Sequence, residues 1–215
     1  MSPKKEILDS ILNQGMIAIV RQHSDRDVMT IAKAIAAGGI KAIEITMGTP
    51  NALDLIHRMC DLPGIIPGVG SVVDAPTANQ AIEAGAEFVV TPISRKEVIE
   101  VAIEHDKPIF SGAFTPGEIY QAYEWGADVV KVFPADMGIK YFKAVRAPMP
   151  YIPLMPTGGV NLVNAAEWIR SGASCLGIGS TLTNKKAITE ENWKFIEETA
   201  YQFLKVIREA RDMVV

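Results

Sequence analysis

The segment EWGADVVKVFP, from Glu124 to Pro134, contains the pattern that predicts the fold. A helical pattern ends on a glycine, and a short apolar run follows directly, which is typical of a helix with a C-terminal glycine and a buried strand. Three other segments share this design: AAGGIKAIEIT (36–46), EAGAEFVVTP (83–92) and RSGASCLGIGS (170–180). The glycines at 38, 85, 126 and 172 are 47, 41 and 46 residues apart, which leaves room for two βα units between successive copies.

The apolar runs between these segments supply the remaining strands. We predict eight strands, near 16–20, 42–46, 65–69, 88–91, 108–111, 128–133, 152–155 and 175–178. Helical patterns separate them, and several begin with Ser, Asp, Thr or Asn as an N-cap. Alternating strands and helices imply a parallel sheet. Eight such units close naturally into a barrel, although an open doubly wound sheet has a similar pattern.

We therefore predict an α/β protein with one (β/α)8 TIM-barrel domain over 1–215, an N-terminal helix at 1–14 and a C-terminal helix at 190–213. A chain of 215 residues that is 48% hydrophobic and 21% charged can bury one good core, but it is short for two domains.

The composition also excludes some partners. With a formal charge of -4, the chain lacks the excess of Lys and Arg that a nucleic-acid binder needs. No apolar run is long enough to span a membrane, and charged residues interrupt the first 14 positions, unlike a signal peptide. We expect neither a nucleic-acid nor a membrane partner.

The cysteines and histidines indicate neither a disulfide framework nor a metal site. Cys60 and Cys175 are far apart and form no CxxC motif, which favours reduced thiols in a cytoplasmic protein. The three histidines lack i,i+4 spacing and neighbouring cysteines, so the sequence contains no recognisable metal-ligand cluster. We expect a site without metal.

Lys131 is the principal catalytic candidate. Alternation in ADVVKVFP places Val129, Lys131 and Phe133 on one strand face and two valines on the other. The all-apolar face suits the covering helices, so Lys131 is predicted to point into the barrel. Desolvation there lowers the pKa of the amine toward the range in which it attacks a carbonyl. The alternative is a structural ion pair, since ion-pair networks also perturb pKa values.

Glu44 is the natural partner of this lysine. The same alternation in AIEIT directs Ala42, Glu44 and Thr46 inward, and directs two isoleucines outward. If both strands project into one mouth, the carboxylate can act as general acid and base beside the amine. A Glu44–Lys131 salt bridge without any chemistry is the alternative for both residues.

Two glycine-bearing segments, 157–161 (TGGVN) and 177–180 (GIGS), follow the last two predicted strands. In TIM barrels, backbone N–H groups and a short helix N-terminus commonly bind phosphate at this place. Either segment alone is weak support, because glycine also forms ordinary turns. Their joint position predicts a phosphate site. Other polar residues at strand ends are interpreted mostly as caps and turns, while Arg21 is either a carboxylate ligand or a solvated loop residue.

Seven motifs, in order along the chain, resemble the 2-keto-3-deoxy-6-phosphogluconate (KDPG) / 4-hydroxy-2-oxoglutarate (KHG) aldolase family. They are EITMGTP at Glu44, GVGSV at Gly68, VTP at Val90, SGAFTPGE at Ser111, KVFPAD at Lys131, PTGGV at Pro156 and GIGS at Gly177. The resemblance runs from AIVR at Ala18 to GIGSTL at Gly177 and covers nearly the whole chain. It implies a class I aldolase of the TIM-barrel fold, commonly a homotrimer, that needs no metal or other cofactor.

The resemblance also implies the reaction and the roles of individual residues. KDPG is cleaved to pyruvate and glyceraldehyde 3-phosphate in the Entner-Doudoroff pathway of carbohydrate metabolism; KHG and the galactonate epimer of KDPG are alternative substrates. Lys131 would be the Schiff-base lysine and Glu44 the proton shuttle. The implied pocket residues are Ser71, Pro92, Phe133 and Thr157, and the implied phosphate ligands are Gly158, Gly159, Gly179 and Ser180.

Two positions depart from the family pattern. Many members have an arginine in the motif E-[IV]-T-x-R-T that helps to hold the substrate carboxylate, whereas this chain has Gly48. Ser71 stands where threonine is usual and keeps the hydroxyl group. The missing arginine can be replaced by Arg21 or by backbone N–H groups. If the substrate differs, it need not be replaced.

Two other functions are compatible with the same fold. A sugar-phosphate isomerase or epimerase would use the phosphate loops with different chemistry, but the inward Lys131 favours imine formation. A non-catalytic barrel that binds a phosphorylated metabolite, or serves as an assembly subunit, is supported only by Gly48.

Overall fold

The computed structural model, which describes residues 3–213, has eight strands that alternate with helices. The strands are β1 Met16–Val20, β2 Ala42–Thr46, β3 Ile66–Gly70, β4 Phe88–Val90, β5 Ile109–Ala113, β6 Val129–Val132, β7 Leu154–Pro156 and β8 Leu176–Ile178. The helices are α1 Pro3–Gln14, α2 Val28–Ala37, α3 Ala52–Met59, α4 Ala75–Glu83, α5 Lys96–Glu104, α6 Pro116–Glu124, α7 Gly138–Arg146, α8 Ala165–Arg170, α9 Lys185–Thr189 and α10 Trp193–Asp212.

The predicted strands match these limits closely. β1 and β2 have the predicted bounds, and the other six differ from theirs by one or two residues at an end. The C-terminal helix predicted at 190–213 corresponds to α10, which begins later because the short helix α9 and a turn precede it. Residues 1, 2, 214 and 215, which the predicted domain and N-terminal helix include, lie outside the described residues.

The strands form one parallel sheet in the order β7-β6-β5-β4-β3-β2-β1-β8. A parallel bridge between Thr157 and Gly177 joins the two ends of the sheet just beyond β7 and β8. The sheet therefore closes into the predicted (β/α)8 barrel rather than an open doubly wound sheet. In this ring β2 and β6 are separated by three strands on either side, so residues that point inward from them face each other.

Two hydrophobic clusters confirm the alternation predicted for β2 and β6. Val130, Val132, Ile43 and Ile45 belong to the outer cluster, between sheet and helices. Val129 belongs to the inner cluster, inside the barrel, together with Ile17, Ile19, Ala42, Phe88, Val90, Phe110, Met155 and Cys175. Helix α1 closes the N-terminal end of the barrel, because its apolar residues pack on this inner cluster.

In the helix–glycine–strand segments, a glycine with a left-handed backbone conformation follows the helix. After α6, Gly126 has a φ of 97°, its N–H bonds the carbonyl of Tyr123, and the N–H of Ala127 bonds that of Ala122. This is a Schellman motif, which turns the chain from the helix into the next strand. In the first segment the left-handed residue is Gly39 (φ 97°), whereas Gly38 has an ordinary φ of -73°.

Gly38 is the C-cap of α2, as the C-terminal glycine of the pattern predicts, and a different constraint applies there. A Cβ at Gly38 would lie 2.4 Å from the carbonyl oxygen of Glu197 in α10. Gly38 thus allows α10 to approach the end of α2. Near the other end of α10, Arg211 donates to the carbonyls of Leu12, Asn13 and Ser174 and ties this helix to the barrel. Within residues 3–213, no helix combines the length and the apolar character of a membrane span.

Candidate active site

A cavity of about 520 Å³ opens at the C-terminal ends of the strands. Its size is in the range that accommodates a small organic molecule. Residues of β1, β6 and β8, together with the segments that follow β1, β6, β7 and β8, line it. Eight residues predicted from the sequence are among them: Arg21, Lys131, Phe133, Thr157, Gly158, Gly159, Gly179 and Ser180. Three predicted residues, Glu44, Ser71 and Pro92, do not line the cavity.

Lys131 projects from β6 into this cavity and is only 5% exposed. Its Nζ lies 5.0 Å from the centroid of the Phe133 ring. Burial lowers the pKa of the amine, the Glu44 carboxylate opposes this shift, and the positive charge of Arg21 adds to it. Among the described residues, no carboxylate oxygen lies within 4.0 Å of this nitrogen. The structure therefore does not contain the Glu44–Lys131 ion pair that was the structural alternative.

Glu44 lies across the barrel on β2 and is 1% exposed. Its Oε2 has no hydrogen-bond partner in the described part of the chain. Burial raises the pKa of this carboxyl group, while the charges of Lys131 and Arg21 oppose the shift. A carboxyl group whose pKa is raised toward neutral pH can both donate and accept a proton there. It is therefore suited to general acid and base catalysis.

Gly70 provides the space for the Glu44 carboxyl group. A Cβ at this position of β3 would lie 1.7 Å from Oε1 of Glu44. Any side chain at position 70 would therefore displace the carboxyl group. No sequence pattern indicates this requirement, because it becomes visible only when β2 and β3 are paired.

Arg21 follows β1 at the wall of the cavity, where its side chain contacts Ser71. Its Nη2 donates a hydrogen bond of 3.3 Å to Oγ of Ser71. Ser71 follows β3 in a left-handed conformation, with a φ of 60°. This contact fixes a guanidinium group at the cavity wall, although the Arg21 residue as a whole is exposed.

Gly48 and Pro92 contribute little to the cavity. Gly48 is exposed, and a Cβ placed there would meet no atom within 4 Å, so the fold leaves room for a side chain at this position. Pro92 is packed against β5, where a Cβ at Gly112 would lie 2.4 Å from the Pro92 carbonyl oxygen.

The two glycine-bearing loops present unused backbone donors to the same cavity. The N–H groups of Gly158, Gly159, Gly179 and Ser180 donate to no acceptor within residues 3–213. Gly158 and Gly159 have φ values of 99° and 68°. Thr181 donates its hydroxyl hydrogen to the Val160 carbonyl at 3.0 Å, which links the two loops. Convergent free N–H groups form a site for an anion.

Thr157 supplies a further polar group beside these donors. Its side chain is 6% exposed, and its Oγ1 has no partner among the described atoms. Gly177 on the neighbouring strand permits this position, because a Cβ there would lie 2.1 Å from Oγ1. A buried hydroxyl group without a partner, next to a cavity, is available to bind a ligand.

The short helix α9 also borders the cavity and was not predicted. Lys185, Ile188 and Thr189 contribute to the lining. A signal for this helix is present in the sequence, because Asn184 is an N-cap whose Oδ1 accepts from the N–H of Ala187. Within the described ranges, no group of three His, Cys, Asp or Glu residues is arranged to hold a metal ion.

Comparison with known proteins identifies relatives along nearly the whole chain. The family model for KDPG and KHG aldolase matches residues 8–199. The 2-dehydro-3-deoxy-phosphogluconate aldolase of Pseudomonas aeruginosa is 32% identical, over 98% of both chains.

Solved structures of related proteins have the same fold. A structure described as native KDPGal is 29% identical, with a TM-score of 0.84, over 92% of this chain and 96% of that one. The KDPG aldolase of Legionella pneumophila, with pyruvate captured as a covalent carbinolamine intermediate, is 25% identical. Its TM-score is 0.81, over 94% of this chain and 97% of that one.

The electrostatics of the site predict how Lys131 titrates. The amine should lose its proton well below the ordinary value of 10.5. At pH values where Glu44 is ionised, Glu44→Gln removes the charge that raises this pKa and should lower it further. Arg21→Ala removes a cation that lowers the pKa and should raise it.

The measurement is the pH dependence of the Lys131 ¹³Cε chemical shift in protein with labelled lysine. The signal is assigned by its disappearance in Lys131→Met. A midpoint at the ordinary lysine value, or shifts of the opposite sign in the two variants, would contradict this description of the site.

Proposed function

This chain belongs to the KDPG and KHG aldolase family, and we propose that it is a class I aldolase that cleaves KDPG to pyruvate and glyceraldehyde 3-phosphate. The observation that carries the proposal is a buried amine with a lowered pKa, in the same cavity as four free backbone N–H groups. The activities named for the relatives from Pseudomonas aeruginosa and Legionella pneumophila support it.

In the proposed mechanism, the neutral amine of Lys131 attacks the C2 ketone of the substrate and forms a carbinolamine. Loss of water gives a protonated imine, which accepts electrons from the neighbouring carbon–carbon bond. The C4 hydroxyl group then loses its proton, the C3–C4 bond breaks, and glyceraldehyde 3-phosphate leaves. The bonding electrons remain on Lys131 as the enamine of pyruvate. Protonation at C3, followed by addition of water, releases pyruvate and restores the amine.

Glu44 is the proposed acid and base for these proton transfers. Its raised pKa suits both removal of the C4 hydroxyl proton and its return to C3. Because Glu44 does not line the cavity, we propose that one water molecule carries the proton between the carboxyl group and the substrate.

The two charged ends of the substrate are proposed to occupy different parts of the cavity. The phosphate binds to the free N–H groups of Gly158, Gly159, Gly179 and Ser180. This favours KDPG over the unphosphorylated KHG. The carboxylate binds to Arg21, whose contact with Ser71 holds it at the wall. Arg21 thereby takes the place of the arginine that many family members have at the position of Gly48.

Reductive trapping tests the covalent step. Incubation with pyruvate and borohydride should reduce the imine to a stable amine, because borohydride adds hydride to the carbon of the imine. Peptide mass mapping should locate the adduct on Lys131. Lys131→Ala should form none, and Lys143→Ala, which removes an exposed lysine of α7, should be labelled like the wild type. An adduct elsewhere, or none in the wild type, refutes the assignment.

Arg21→Ala tests the binding of the carboxylate. A lost charged hydrogen bond costs about 1.5–3 kcal/mol, so KM should rise about tenfold or more for both phosphorylated and unphosphorylated keto acids. The assay covers a range of pH, because the same change also raises the pKa of Lys131. Arg26→Ala is the control, since Arg26 lies in the same loop but pairs with Glu191 outside the cavity. An unchanged KM in Arg21→Ala excludes this role.

We also propose a homotrimer, which the family resemblance implies. Val73, Ile93 and Met137 follow β3, β4 and β6 and are 42%, 48% and 63% exposed. Such apolar side chains at one end of a barrel favour association.

A location in the cytoplasm stays a prediction, which rests on the free thiols of Cys60 and Cys175.

Light scattering measures the oligomer directly. The expected mass is about three times the 23.3 kDa of one chain. Ile93→Glu places a charge on the proposed contact surface and should give monomers. Val163→Glu, at a side chain that is 95% exposed on the α8 side, should leave the mass unchanged. A monomeric wild type at the same concentration contradicts the proposal.

A further inference from the structure

A third basic side chain, besides Arg21 and Lys131, reaches the cavity from a part of the chain outside the family motifs. Lys185 is the first residue of α9 and lines the cavity together with Gly179 and Ser180. It is exposed, and its ammonium group makes no hydrogen bond or ion pair within the described chain. Lys186, the next residue, does not line the cavity and pairs with Glu190 at 3.9 Å. The two adjacent lysines therefore have different environments.

Within residues 3–213, the cavity lining contains basic but no acidic side chains. Arg21, Lys131 and Lys185 line it, and none of the described lining residues is Asp or Glu. The substrate carries a carboxylate and a phosphate, and the phosphate has a charge of roughly -1.5 to -2 near neutral pH. Backbone N–H groups are dipoles without net charge, and Lys131 must be neutral to attack the ketone. A further mobile cation beside the phosphate loops would balance charge that these groups leave uncompensated.

We propose that Lys185 binds the phosphate group of the substrate and selects phosphorylated over unphosphorylated keto acids. The inference rests on the proposed function and names a specificity residue for it. The phosphate is seated on the four N–H groups, and the ammonium group contacts its outer oxygens from the rim. A lysine suits this position, because its flexible stem carries a compact charge that can follow the ligand.

The test compares Lys185→Ala with Lys186→Ala as the matched control, and with Lys185→Arg as the conservative variant. In Lys185→Ala, kcat/KM for KDPG relative to its unphosphorylated analogue should fall about two- to fivefold, as expected for one solvent-exposed charge contact. Lys186→Ala should keep the wild-type ratio, and Lys185→Arg should keep most of it. Added salt should reduce the difference between Lys185→Ala and the wild type, because it screens exposed charges.

A binding measurement separates this inference from the aldolase proposal. Calorimetry with inorganic phosphate should show weaker binding, by a similar factor, in Lys185→Ala but not in Lys186→Ala. Wild-type protein that neither cleaves KDPG nor traps pyruvate refutes the proposed function, while phosphate binding still tests Lys185. Equal losses with both substrates, equal losses in both alanine variants, or unchanged phosphate affinity in Lys185→Ala would overturn the role of Lys185.

Discussion

The exclusion of water from the inside of the closed barrel is the constraint on which the site depends. Lys131 and Glu44 lie among apolar side chains of the inner cluster, and α1 closes the end of the barrel opposite the cavity. Placing an ion in such surroundings costs on the order of several kcal/mol. Each group therefore shifts toward its neutral form: the pKa of the lysine falls and that of the glutamate rises. A closer ion pair would lower this cost, but it would also hold the amine of Lys131 in its charged form, which cannot attack the ketone.

Two glycines make room for polar side chains inside the barrel, because they have no side chain of their own. Gly70 leaves room for the Glu44 carboxyl group, and Gly177 leaves room for the Thr157 hydroxyl group. Both glycines point into the barrel from a strand next to the residue they accommodate. The inside of the barrel thus leaves space for these two polar side chains among its apolar residues.

Basic residues lie outside this dry interior, at the wall and rim of the cavity. In the proposed mechanism Arg21 influences two steps, because it binds the carboxylate and its charge also lowers the pKa of Lys131. The phosphate loops contribute dipoles, and Lys185 contributes a charge at the rim. Substrate binding and activation of the amine therefore depend on the same electrostatic field.

Local sequence patterns were enough to predict the features that depend on local geometry. Strand alternation has a period of two, so the inward direction of Lys131 and Glu44 follows from a few neighbouring residues. The eight βα units and the glycine-bearing loops after the last two strands follow from local patterns for the same reason. Contacts between segments far apart in the chain depend on the folded barrel. These are the bond from Arg21 to Ser71, the space at Gly70, the absence of a close Glu44–Lys131 pair, and the approach of Lys185 to the cavity. The need for a glycine at position 38 likewise depends on α10, because a pattern specifies which face a residue occupies but not what packs against it.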